Sequence, residues 1–197
     1  MRSPLYLAGL LLVALCASSL AHPIPDIPVQ AVFDESGAGV VRIEVDLRFF
    51  DSDPATAPYF KNEFLPDKPP AWRTERIDLA RAFVAANVEF FLEPGGRANP
   101  EWQWEFTGQK NVPLAGTEDP VMLTGTWRTP AGAKGYRIRS TPSNKWSVLF
   151  LNTLRGKEVE RTQVLFPAES SFVLDLTAPA PAAKSPAPWW RRIFGGA

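Results

Sequence analysis

Few side chains in this chain have a type and spacing suited to chemistry, and each competes with an ordinary structural role. His22 is the only histidine. As the first residue of a processed chain it would offer its free amine and ring Nδ1 as a two-atom chelate for copper or nickel, metals that imidazole suits. Pro23 has no backbone N–H to become a further ligand, no second histidine completes a three-nitrogen site, and Asp26 could add only an oxygen. The plainer reading, a residue that follows a cleavage site, weighs more. A single histidine on a proline-rich arm also argues against a Ser-His-Asp triad, whose base must be held rigidly between its partners.

Paired carboxylates are the next candidates. Glu44 and Asp46 alternate along one run with Arg42 and Arg48, and Glu158 and Glu160 alternate along another with Arg161 nearby. Two carboxylates flanking a bond can hydrolyse a glycoside, but charge pairing across the wet face of a sheet explains both sets without catalysis. Asp51-Ser52-Asp53 resembles the start of a calcium loop, yet Thr56 stands where the loop needs glycine and Asn62 where it needs the closing glutamate. A cap before Pro54 is the simpler account. Trp102 and Trp104, with Trp127 and Trp146 in reach, would make a ligand-binding platform for sugar rings if exposed. Strand aromatics at period two are more often core.

The ends bound location. Arg2, an apolar block from Leu5 to Leu15, and the small residues Ser19 and Ala21 ahead of His22 have the layout of a secretory signal peptide, residues 1–21, with too short a block to span a membrane. Export to the periplasm or outside the cell, with membrane association open, is the expectation. Cys16 is the only cysteine and lies in that segment, so the processed chain would lack a thiol nucleophile, a thiolate metal site and a disulfide. Removing Arg2 from 21 Lys and Arg leaves 20 against 21 Asp and Glu, a balance that supplies no basic field for nucleic acid. No cofactor and no transmembrane span in the processed chain are expected. Residues 178–188 are almost all Ala and Pro, an extended linker. They lead to 189–197, where Trp189, Trp190, Arg191, Arg192 and Phe194 suit a membrane surface or a protein partner. A frayed tail is the plain alternative.

Between the ends, residues 22–177 read as one mainly β domain. Val29–Asp34 and Val40–Phe50 flank a loop with Gly37 and Gly39, which predicts a hairpin. In the second run Val41, Ile43, Val45, Leu47 and Phe49 alternate with charged residues, giving one buried face. A proline-broken stretch follows, with a short helix expected near Tyr59–Phe64. A helix is predicted over Thr74–Ala86, where Ile77, Ala80 and Val84 recur at helical spacing. Strands are expected at 87–93, 101–107, 121–128 and 136–141. The stretch from Lys145 to Leu176 then offers three consecutive antiparallel strands, read as the folding core. The sum is an antiparallel β-sandwich of immunoglobulin-like architecture with one inserted helix.

The run Ala21-His22-Pro23-Ile24-Pro25-Asp26-Ile27-Pro28, with Val41–Asp46, Ser147–Asn152 and Gln163–Pro167, resembles the exported N-terminal region of some HupE/UreJ-type membrane proteins. That family is associated with uptake of nickel or other metals through membrane helices carrying His and Asp ligands. Such helices are not present in this sequence, so no ligand carries over. The resemblance implies an exported accessory or stand-alone domain with a link to metal handling.

Together these readings predict a non-enzymatic binding or accessory domain of the cell envelope that meets a protein or membrane-surface partner. A carbohydrate-binding module and an N-terminal-histidine copper or nickel chelator are the alternatives. Calorimetric titration of a chain beginning at His22 with copper and nickel is expected to show no stoichiometric heat. Tight one-to-one binding that vanishes in His22→Ala would instead make the histidine the functional site.

Overall fold

The computed structural model describes residues 25–178; the expected signal peptide, His22 and the Trp189–Phe194 segment lie outside them. Period-two burial builds the centre. In β1 (Ile27–Phe33) the side chains of Ile27, Val29, Ala31 and Phe33 are buried, and in β2 (Gly39–Asp46) those of Val41, Ile43 and Val45 are. The two pair antiparallel as the predicted hairpin, Val29 opposite Ile43. Its loop is closed by Asp34, whose Oδ1 accepts hydrogen bonds from Ser36 N–H at 2.8 Å and Ser36 Oγ at 2.7 Å.

Helix α1 (Pro70–Asn87) follows, then β3 (Val88–Glu93), β4 (Gly96–Ala98), β5 (Gln103–Thr107), β6 (Met122–Thr129), β7 (Gly135–Ser140), β8 (Val148–Leu154), β9 (Lys157–Glu158), β10 (Gln163–Leu165) and β11 (Leu174–Asp175). A seven-stranded sheet has the order β10-β8-β1-β2-β6-β5 with β9 on β8, and a four-stranded sheet has the order β11-β7-β3-β4. The expected mainly β sandwich with one helix after the second strand is what forms. Tyr136 on β7 ties the layers together, its ring 5.1 Å from that of Phe33 and 5.6 Å from that of Phe150 on the facing sheet.

Four details depart from the sequence reading. The second strand stops at Asp46 and gives way to a 3-10 turn, Leu47–Phe50. The helix starts one turn early because Pro70 takes the first helical position, where the missing N–H costs nothing; Thr74 lies inside it, donating to Pro70 O. Near Tyr59–Phe64 only a 3-10 turn, Asn62–Phe64, forms. The closing triplet is not three adjacent antiparallel strands. β8 pairs antiparallel with β9 and β10 but parallel with β1, from Ile27 opposite Val148 to Phe33 opposite Leu154. β11 belongs to the other sheet, beside β7. The crossing is fixed by Glu169 O, which accepts from Ser140 N–H at 2.9 Å, and by Ser171 N–H, which donates to Ile138 O at 2.9 Å.

Gly39 sits where β2 passes the Phe33 ring: an added Cβ would lie 2.7 Å from Phe33 Cε1 and 2.9 Å from Val32 O. Phe33 is 1% exposed and has nowhere to move. Gly39→Ala is expected to destabilise the fold by about 1–3 kcal/mol, read as a lower melting temperature. Gly95→Ala, whose Cβ meets nothing nearer than Leu92 O at 3.7 Å, is expected to leave the melting temperature unchanged.

Candidate functional site

The most buried charge in the described residues is made by three consecutive positions, Asp46-Leu47-Arg48. Asp46 Oδ1 accepts the backbone N–H of Arg48 at 2.9 Å, which captures the chain into the 3-10 turn and ends β2. Asp46 Oδ2 accepts Arg48 Nε at 2.9 Å and Nη2 at 2.7 Å. The guanidinium carbon lies 3.8 Å above the centroid of the Tyr59 ring. Arg48 is only 2% exposed. Burial works against its charge, but the hydrogen bond and charge of the Asp46 carboxylate, with a smaller electrostatic contribution from Tyr59, outweigh burial and hold its pKa above the ordinary arginine value. Arg48 Nη1 has no hydrogen-bond partner among the described residues.

Arg48 forms part of the wall of two clefts. One, of about 180 Å³, lies at an end of the large sheet, where Asp26, Glu44, Tyr59 and Gln109 join Asp46 and Arg48. Here the 3-10 turn Gln109–Asn111 folds onto β2 and β6, with Lys110 and Asn111 in left-handed conformations at φ 59° and 56°. That backbone turns its N–H groups to Glu44, Asn111 N–H reaching Oε2 at 3.2 Å. Burial raises the pKa of Glu44, and these N–H groups only partly offset it.

The second cleft, of about 170 Å³, is lined by Leu47, Arg48, Asp51, Phe60, Trp72 and Arg76 among others. Trp72 and Arg76 are four residues apart on α1 and so share a face, the same side on which Ala80 and Val84 are buried. The Arg76 guanidinium lies 5.4 Å from the Trp72 ring, and Trp72 stacks on Phe60 at 5.2 Å and on Phe106 at 6.0 Å. Arg76 Nε is buried and without a partner among the described residues.

The Asp46–Arg48 pair is suited to holding a group in place. A guanidinium keeps its protons at any working pH, and Asp46 is committed to three donors of one residue. Among the described residues there is no group of three or more His, Cys, Asp or Glu side chains able to hold a metal ion.

The residues singled out from sequence fare unevenly. Glu44 and Asp46 do lie together, but Asp46 is 7% exposed rather than on a wet face, and its partner is Arg48 two residues on rather than a charge across the sheet. Glu158 and Glu160 share no strand face, because β9 ends at Glu158. Asp53 caps its own turn, accepting from Thr56 Oγ1 at 2.8 Å. Trp102, Trp104 and Trp127 meet, with ring centroids 6.1 and 6.2 Å from Trp102, whereas Trp146 packs elsewhere, 5.0 Å from Phe49. Trp104 lies against Gly125, where an added Cβ would stand 2.9 Å from its ring. Trp102 lines a groove of about 190 Å³ shared with Arg81, Glu89, Arg97 and Asn99. His22 and the segment Trp189, Trp190, Arg191, Arg192 and Phe194 lie outside the described residues.

Comparison with protein-family models, curated proteins and solved structures returned no match. Sequence reasoning missed Arg48, Arg76, Tyr59 and Trp72. The one available signal was Asp-x-Arg at a strand end, where a short acceptor can cap the turn that its own arginine covers.

The direction of the Glu44 shift sets a pH dependence. A carboxyl whose pKa is raised on folding binds its proton more tightly in the folded state, so its contribution is greatest in acid and is lost as pH rises through the folded pKa. Glu44→Gln keeps an oxygen for the Asn111 N–H and removes the ionisation. It is expected to melt higher than the parent at pH 7, the difference closing below about pH 4, where the carboxyl is protonated in both states. A difference independent of pH would remove the ionisation as its cause.

Proposed function

We propose that this chain is a non-enzymatic, exported binding domain of the cell envelope, accessory to a partner. The observation that carries this is Arg48. A permanently charged, rigidly clamped and nearly buried guanidinium shared between two clefts is a recognition element, because it offers donors in fixed directions and has no proton to move. The carboxylates beside it support the same reading, since Asp46 is held by Arg48 and Glu44 by a backbone turn. The export signal read at residues 1–21 supports the location, and the envelope-domain resemblance supports an accessory role with a link to metal handling.

A second reading has its own observation. Trp102 walls a groove with Arg81, Glu89, Arg97 and Asn99, and Arg97 Nη1 meets Glu89 Oε1 at 3.1 Å. An indole face beside planar polar groups is the arrangement that stacks and orients a sugar ring, which makes a carbohydrate-binding module the alternative.

Two measurements test the proposal. The chain expressed from its own start is expected in the envelope or periplasmic fraction with the mass of a protein beginning at His22. Calorimetry with a panel of short organic acids, oligosaccharides and amides is expected to give saturable heat for one class. Oligosaccharide binding that is abolished by Trp102→Ala would favour the second reading. Retention in the cytoplasm at full mass would overturn the first.

A further inference from the structure

The loop between β5 and β6 is fastened unequally along its length. Its second half is pinned to the turn at Asn62–Phe64: Asn62 N–H donates to Asp119 O at 2.9 Å, Glu63 N–H to Thr117 O at 2.9 Å, and Asn62 Nδ2 to Gly116 O at 3.0 Å. Asp119 stiffens that half from within, accepting the N–H groups of Ala115 at 3.0 Å and Gly116 at 2.8 Å. The first half, Gly108–Val112, is closed on itself by Gly108 N–H donating to Val112 O at 2.8 Å. Among the described residues its hydrogen bonds to other elements go to one side chain: Asn111 N–H reaches Glu44 Oε2 at 3.2 Å, and Lys110 N–H faces the same carboxylate. There Lys110 and Asn111 hold left-handed backbone at φ 59° and 56°, a conformation that asparagine tolerates and lysine disfavours. A strained segment on a single anchor is easily released.

What this segment covers is the floor of the cleft beside Arg48. Glu44, Thr124 and Glu105 are register partners across β2, β6 and β5, so they share the outer face of the large sheet, as do the partners Asp46 and Met122 two positions along. Elsewhere on that face Gln30, Gln103 and Arg128 are exposed, as on an open sheet, whereas Met122 is 2% exposed, Thr124 0% and Thr107 6%. Thr107 Oγ1 and Thr124 Oγ1 satisfy each other at 2.7 Å. Gln109 stands in the wall of the same cleft as Glu44, Arg48 and Met122. We infer that Gly108–Val112 is a gate over this cleft, latched by Glu44 and hinged at Leu114, whose half-buried side chain stays packed on the core. Released, the segment uncovers Met122 and the two threonines and lets Lys110 return to ordinary backbone. The inference gives the Arg48 site its regulation and rests on the reading of that site as the recognition element.

Met122 reports the gate directly, because it is the only methionine other than Met1 and lies in the cleft wall. The full chain is treated with hydrogen peroxide, which oxidises an accessible thioether to the sulfoxide. Modification of the Met122 peptide is followed by mass spectrometry beside amide hydrogen exchange. Glu44→Ala removes the latch and is expected to speed Met122 oxidation about tenfold, as for loss of a hydrogen bond to a charged group. Lys110→Gly removes the left-handed penalty and is expected to slow it about threefold. In both variants amide exchange across 116–119 and β2 is expected to match the parent, which marks the change as local. A Met122 rate indifferent to Glu44→Ala, faster oxidation in Lys110→Gly, or equal loss of protection at 116–119 would overturn the inference. The test uses no ligand, so its failure removes the gate alone, whereas failure of the binding-domain reading shows in the fractionation.

Discussion

Everything in the sandwich depends on β1 being hydrogen-bonded along both edges, to β2 on one side and β8 on the other. It is seven residues long, and the alternate members Ile27, Val29, Ala31 and Phe33 are at most 1% exposed. The β2 contact is local, a hairpin that costs little loop entropy. The β8 contact joins residues more than a hundred positions apart, and until it forms the large sheet is two separate pieces. A parallel pairing is open to β8 because it is reached through a long stretch of chain rather than a tight turn.

The Asp46–Arg48 pair shows how a local interaction can redirect that sheet. A strand carrying Val41, Ile43, Val45, Leu47 and Phe49 in alternation had no pattern-level reason to end. It ends because the Asp46 carboxylate offers the Arg48 N–H an acceptor two residues back, in competition with the ladder of the neighbouring strand. The same carboxylate then neutralises the side chain that the turn has folded inward. Removing two charges from water is repaid only when the geometry is close and the remaining donors are met, and here Arg48 Nη1 has no partner among the described residues.

How much of this was legible in the sequence follows from which interactions are periodic. The buried face of β2, the hairpin at Gly37–Gly39 and the helix that follows come from period-two and helical spacing, and they stand. Strand partners do not come from spacing: a half-buried strand alternates in the same way whether its neighbour runs parallel or antiparallel, so the β1–β8 pairing and the passage of β11 to the second sheet left no mark. The site was hidden for a related reason. Arg48 lies in phase with Arg42, Glu44 and Asp46 and so reads as solvated surface, and only the distant segment carrying Tyr59 covers it. Trp102 and Trp104 are in phase too and both half-buried, Trp104 lying over Gly125 of the neighbouring strand while Trp102 borders a groove.

The placement of the two ends of the described chain has a mechanical meaning. Ile27 N–H donates to Ser147 O at the start of β1, while Arg155, whose N–H donates to Phe33 O at the far end, also holds the carbonyls of Leu176 and Ala178. The chain thus enters at one pole of the strand and leaves at the other, about 20 Å away for seven extended residues. Tension applied through both ends would run along β1 rather than across it. Its flanking hydrogen bonds would be loaded in shear, many at once, instead of being opened one after another.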